Sequence, residues 1–267
     1  CKDALVVLRA LQNEHRASTE AEQEPLRNYR GFAGIASRLF SGFYIDDPQW
    51  KERSSVMKAL LKEIGIETHV EDPVWPRDDA FEPDPALLRG IYQGLMAAGF
   101  KGGRVLNLHA GTGRYYDTMP DDMKEKSQFV AVNDDRTARK IFSALHPDLT
   151  QSRKDFRETA IPENAFDLAI GRVSYQTDDK HPAKDVKAFG EKDAPSQTYE
   201  LQKLIQSVRP GGLVVALVNR AFLQEMTRPD HVDVNRYASL VGAFHLPTEA
   251  TRNSALPTVF SNMNTYM

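Results

Sequence analysis

The chain has 267 residues with 41% hydrophobic and 27% charged residues, enough apolar material to bury one large domain or a domain with an appendage. A net charge of −3 excludes a global basic field of the kind that drives non-specific nucleic-acid binding, so any nucleic-acid contact has to be local. No window reaches the roughly 18 uninterrupted apolar residues of a membrane helix, and Cys1 to Arg16 reads as a mixed polar helix rather than a signal peptide, which places the protein in the cytoplasm.

Residues 1 to about 70 carry apolar positions at helical spacing, in Ala4, Leu5, Val6, Val7, Leu8 and Leu11 and again in Val56, Met57, Leu60, Leu61 and Ile64. Between them lies a glycine-rich turn with aromatics, Tyr29-Arg-Gly-Phe-Ala-Gly-Ile35. The Pro- and Asp-rich stretch Glu71 to Asp79 is a connector, and an amphipathic helix follows from Asp84, with Pro85 just inside its cap. The expected division is a helical N-terminal region over 1–78 and an α/β domain over 79–267.

From Arg104 onward short apolar runs alternate with helical periods, the pattern of βα units and a largely parallel sheet. The runs are Val105–Leu108, Phe129–Val132, Phe166–Ile170 and Leu213–Val218, with later candidates at Leu240–Leu246 and Val259–Met263. Helices fit at Arg136–Leu145 and Thr198–Val208, the latter stopped by Pro210-Gly211-Gly212. Residues Gln176 to Ser196 lack periodicity and read as a long loop. Its lysines (Lys180, Lys184, Lys187, Lys192) are interleaved with acids, the pattern of a solvated loop rather than a binding patch.

In an open α/β sheet ligands sit beyond the carboxyl ends of the strands, so Asn107 to Gly113, Asn133 to Asp135, Asp155-Phe156 and Gly171 to Tyr175 are expected to converge on one crevice. Ala110-Gly-Thr-Gly113 would let backbone approach a ligand closely, but it lacks the full G-x-G-x-x-G pattern of a dinucleotide site and equally fits a plain strand-to-helix turn. Asp134 suits a ribose acceptor and Asp135 suits a cap for the following helix. Asp155 and Phe156 could offer a carboxylate and an apolar face to a purine, and Phe156 equally suits the core.

His109 has no partner within sequence reach and reads as a structural replacement. His181, His231 and His245 lack metal-ligand spacing, and the single cysteine excludes a multi-thiolate zinc cluster, so no metal is assigned.

Taken in order, Phe81-Glu-Pro, Asn107-Leu-His-Ala-Gly-Thr-Gly113, Val132-Asn-Asp-Asp135, Asp155-Phe156, Asp167-Leu-Ala-Ile-Gly-Arg-Val-Ser-Tyr175 and Arg209-Pro-Gly-Gly212 resemble the class I S-adenosylmethionine-dependent DNA adenine-N6 methyltransferases. The branch most similar is the one fused to helicases in plasmid and phage antirestriction proteins, where a helical segment like Tyr29 to Gly34 precedes the core and Val241-Gly-Ala-Phe-His-Leu-Pro247 matches a late strand. The resemblance covers nearly the whole chain. It implies a Rossmann-like methyltransferase sheet with helices on both faces behind a helical N-terminal region.

It also implies S-adenosylmethionine as cofactor, held by Phe81, Asn107, Ala110, Gly111, Gly113, Asn133, Asp134, Asp155 and Phe156, and a catalytic motif at Arg172, Ser174 and Tyr175. Implied partners are DNA, through a local surface, and a helicase or other protein, in a bacterial host cell or a phage or plasmid system.

The family places acids where Asn107 and Asn133 stand, and an Asn or Asp where Arg172 stands. That Asn or Asp accepts hydrogen bonds from the target amino group, whereas Arg172 has donors only. Tyr175 keeps an aromatic face on which a flipped base could stack, and equally fits packing at the sheet mouth. The expected function is therefore a binding or assembly module that has lost methyl transfer. The alternatives are an active methyltransferase using Asp134 for ribose, Phe156 for adenine and Ser174 or Tyr175 near the acceptor, and a structural partner in a helicase-containing or virion-packaged assembly.

Overall fold

The computed structural model describes residues 1–32, 39–40, 47–66, 82–152, 154, 156, 158–173, 180–182, 193–219, 222, 237–244, 246 and 265–266. Phe81, Asp155, Ser174 and Tyr175, the connector at 71–79, the run at 259–263, His231 and His245 lie outside these residues.

The described residues of the N-terminal region include the helices α1 (Lys2–Glu14), α2 (Glu20–Arg27) and α3 (Pro48–Glu63). Residues 29–32 leave α2 irregularly, and the buried apolar residues of these helices, together with Tyr29 and Phe32, form one cluster, while Val6 and Val56 stay exposed. The cluster is completed by Ala138, Ile141 and Leu145 of α7 (Arg136–Leu145), so the N-terminal helices are built onto a helix of the sheet domain. Ser18 Oγ donates to the Ala144 carbonyl at 3.0 Å across the same junction, and Arg27 pairs with Asp117.

The next helix, α4 (Pro85–Ala97), starts where Asp84 accepts from the Ala86 amide at 2.7 Å, with Pro85 contributing the fixed φ of a first helical residue. Two single-turn helices, α5 (Arg114–Asp117) and α6 (Asp121–Lys124), connect β1 (Arg104–Leu108) to β2 (Gln128–Val132). The short β3 (Thr150–Gln151) follows α7, then β4 (Phe166–Arg172), β5 (Lys180–Pro182), β6 (Asp193–Pro195), α8 (Ser196–Ser207), β7 (Val208–Asn219) and β8 (Thr265–Tyr266). The main sheet has the order β3-β2-β1-β4-β7-β8, parallel through β7, with β8 antiparallel at the edge.

β1, β2 and β4 carry apolar residues toward both faces because helices cover both sides of a parallel sheet. Their ends are level. Leu108 lies in register with Val132 on one side and Gly171 on the other, so the residues after β1, β2 and β4 open onto the same edge.

Three expectations are corrected. Residues 176–196 include a two-stranded antiparallel ribbon of β5 with β6, where a plain loop was expected. Leu240–Leu246 does not form a strand among its described residues: Leu240, Val241 and Phe244 are exposed, and β7 takes its antiparallel neighbour from Thr265–Tyr266. Pro210-Gly211-Gly212 does not precede β7. It sits within that strand at a register shift, where Phe166 pairs with Val208 and Leu168 with Leu213.

Candidate functional site

The turn after β1 is the floor of the crevice. Ala110 is fully buried, its amide donates to the Val132 carbonyl at 3.2 Å, and its carbonyl accepts from Gly113 at 3.0 Å. Gly111 and Gly113 have φ of 59° and 103°, the left-handed region that side chains rarely adopt. Neither has room for a Cβ: at Gly111 it would overlap the Glu82 carboxylate, at Gly113 the His146 ring.

Glu82 was quoted in the sequence only as part of a motif, and the structure gives it a role. Its Oε1 accepts from the Thr112 amide at 2.6 Å, while Oε2 has no hydrogen bond and faces the Arg114 guanidinium at 3.7 Å. Burial pushes this carboxyl up to about 7, against the lowering effect of the Thr112 hydrogen bonds. A pyrophosphate seated on this turn would need the amide that Glu82 holds. The helix behind it, α5, is one turn long and offers little dipole.

The two asparagines that stand where the resemblance implies acids are turned into the protein. Asn107 is fully buried, and its Nδ2 donates to the Ile170 carbonyl at 2.9 Å and to the Leu108 carbonyl at 3.3 Å, tying β1 to β4. Asn133 pairs with both backbone groups of Gly111, accepting from its N–H at 2.7 Å and donating to its carbonyl at 3.0 Å, and donates to Gln151 Oε1 at 3.0 Å.

The neighbouring acids have different partners. Asp135 caps α7, accepting from Thr137 at 2.7 Å and Ala138 at 3.0 Å, and its burial raises its pKa. Asp134 Oδ1 accepts from the Phe156 amide at 2.6 Å, which joins the end of β2 to the segment after β3. Phe156 is a core residue in this structure, 1% exposed, with its ring 5.9 Å from that of Tyr199.

His109 occupies the crevice itself. It has a left-handed φ of 51°, and its side chain is 9% exposed, with Nδ1 3.8 Å from Asp134 Oδ2 and Nε2 3.3 Å from Glu200 Oε1. Its ring lies 6.5 Å from that of Phe156. Its neighbours come from the turn after β2 and from α8, distant in sequence.

Two further residues of α8 line this side, neither visible from the sequence. Glu200 is buried, and Lys203 Nζ donates to the Phe156 carbonyl at 3.1 Å and the Tyr199 hydroxyl at 2.9 Å while lying 4.8 Å from the Phe156 ring centre. Arg172 ends β4 beside this crevice in register with Leu217, 6% exposed and carrying donors only.

No family model matches the chain, and no curated protein does so. Among solved structures, a candidate class I S-adenosylmethionine-dependent methyltransferase from Listeria monocytogenes matches at 14% identity and a TM-score of 0.53, over 99% of this chain and 85% of that one. A methyltransferase of Leishmania major matches at 11% identity and a TM-score of 0.42, over 67% of this chain and 68% of that one. The first likeness shows the architecture: a Rossmann-like α/β sheet of the class I methyltransferase type, carrying N-terminal helices. Among the described residues no helix is long and apolar enough to cross a membrane.

Proposed function

We propose that the crevice beyond β1, β2 and β4 is an S-adenosylmethionine site whose adenine-N6 transfer chemistry has been lost. The domain would then serve as a binding or assembly module in a phage or plasmid antirestriction system or a related one. Its partners would be DNA, met through a local surface, or a helicase-type protein, in the bacterial cytoplasm.

The observation that carries the reading is the inward turn of the polar groups around the glycine turn. Asn107 and Asn133 are spent on backbone, and the His109 ring stands between Asp134 and Glu200. Glu82 narrows the ligand class, because its buried carboxylate on the Thr112 amide disfavours a phosphate and leaves a nucleoside with an uncharged or cationic tail. Arg172 at the end of β4 accepts no hydrogen bond from a target amine, so the alignment worth roughly 7–11 kcal/mol in an ordered bimolecular reaction has no acceptor there.

A second reading, methyl transfer to a different acceptor, is favoured by Asp134, whose Oδ2 makes no hydrogen bond with His109 at 3.8 Å and remains an acceptor for a ribose. Calorimetry of the full chain with S-adenosylmethionine, its demethylated product, ATP and NAD, together with transfer of labelled methyl groups to adenine-containing DNA, tests both. The first reading expects the two sulfur nucleosides to bind, the phosphorylated ligands not to bind, and no label in DNA. Labelled adenine would sink it, and label in another acceptor would establish the second.

A further inference from the structure

We propose that His109, Asp134 and Glu200 form a binding site for one divalent transition-metal ion. The three residues come from separate elements, the turn after β1, the end of β2 and α8, and one ligand atom from each lies within 4.8 Å of the others. Their side chains are 9%, 17% and 4% exposed.

One imidazole and two carboxylates in a poorly solvated place are a donor set of the kind that binds a dication. An independent observation points the same way. His109 Nε2 is buried without a hydrogen bond, although Glu200 Oε1 is 3.3 Å away. Around a tetrahedral ion with bonds of about 2.0–2.1 Å, adjacent ligands stand about 3.3–3.4 Å apart, so this pair already has ligand spacing. Asp134 Oδ2 stands 3.8 Å from Nδ1, the other ring nitrogen, and would reach an ion on Nε2 through a side-chain movement, the three ligand atoms lying within 4.8 Å of one another.

The surroundings are those of a supported site. Asp134 is oriented through its other oxygen by the Phe156 amide at 2.6 Å, the kind of outer hydrogen bond that fixes a ligating carboxylate. The backbone of His109 is held at a φ of 51°, a conformation that costs a side-chain-bearing residue and places the ring here. Lys203, one turn along α8 from Glu200, has its ammonium hydrogen-bonded to the Phe156 carbonyl and the Tyr199 hydroxyl. One nitrogen and two oxygen donors without sulfur suit zinc, manganese, iron(II) or cobalt(II) over copper(I).

This inference deepens the reading of the same crevice, because the ion and the nucleoside would compete for Asp134, but it stands on metal binding alone. The test is titration of the untagged, chelator-treated full chain with cobalt(II), followed through the visible absorption of a low-symmetry four- or five-coordinate ion, with zinc as competitor. The expected result is one equivalent bound, displaced by zinc, and affinity lowered by roughly 100-fold in His109→Ala and Glu200→Gln. Asp121→Asn, at an exposed carboxylate on α6, should bind as the parent does.

Thermal unfolding with and without zinc keeps the test informative if a variant is unstable, since the parent chain should be stabilised by the ion and the two site variants should not. No cobalt spectrum in the parent chain, or an identical spectrum in His109→Ala, overturns the proposal. Cobalt binding without any nucleoside binding would overturn only the cofactor reading, and nucleoside binding without cobalt binding only this one.

Discussion

The Asn133 carboxamide closes a reciprocal pair with Gly111, accepting from its N–H at 2.7 Å and donating to its carbonyl at 3.0 Å. A carboxylate could make the first of these bonds but not the second, and it would face the Gly111 carbonyl and Gln151 Oε1 with negative charge. Placing an acid at this position therefore disrupts the turn. Asn133→Asp is expected to lose about 1–3 kcal/mol of stability at pH 7, read from chemical denaturation.

Asn107 obeys the same logic more severely, being fully buried against the Ile170 and Leu108 carbonyls. Asn107→Asp places a carboxylate beside two acceptors and is expected to cost at least about 3 kcal/mol, or to shift its own pKa far upward. Denaturation at pH 5 and pH 8 separates the two outcomes, since a variant whose new carboxyl stays protonated in the native state loses less at the lower pH.

Glu82 predicts a pH dependence. Its carboxyl titrates near 4.5 when unfolded and at about 7 in the native chain, so between these values the native state holds a proton that the unfolded state has released. Stability is highest below the unfolded value and falls as pH rises through 7, by roughly 3 kcal/mol for a shift of this size. Glu82→Gln should flatten that part of the stability profile relative to the parent, leaving the slope of the same sign contributed by buried Asp135. Equal slopes in parent and variant would remove Glu82 as the cause.

Gly113 combines a φ of 103° with the His146 ring where its Cβ would lie. Gly113→Ala is expected to destabilise by about 1–3 kcal/mol, from backbone strain and the displaced ring together. Gly90→Ala, on α4 with open space around it, should be neutral or stabilising in the same denaturation experiment.

Strands β1, β2 and β4 and helix α7 were legible because their apolar periodicity runs over five or more residues, and Asp135 announced the start of α7. The ribbon of β5 and β6 was not, since strands of three residues rich in charge and proline carry no alternation to read. At Leu240–Leu246 an apolar run misled, because a run of that kind registers hydrophobicity and not whether a sheet edge is free to receive it. Ala110, Gly111 and Gly113 were readable as the turn, but Glu82 and Glu200 were invisible as site residues. They reach it only through the packing of α4 and α8, which no local spacing encodes.

The most direct test of the central claim, that the His109 ring fills a nucleoside crevice, is calorimetric titration of the parent chain and His109→Gly with S-adenosylhomocysteine. Glycine adopts the left-handed φ of this position without strain, so the variant removes the ring and keeps the turn. The account predicts weak binding by the parent, which must first displace the ring, and binding at least roughly tenfold tighter by the variant. Equal or weaker binding by His109→Gly would contradict it and would make the imidazole part of the ligand's own site.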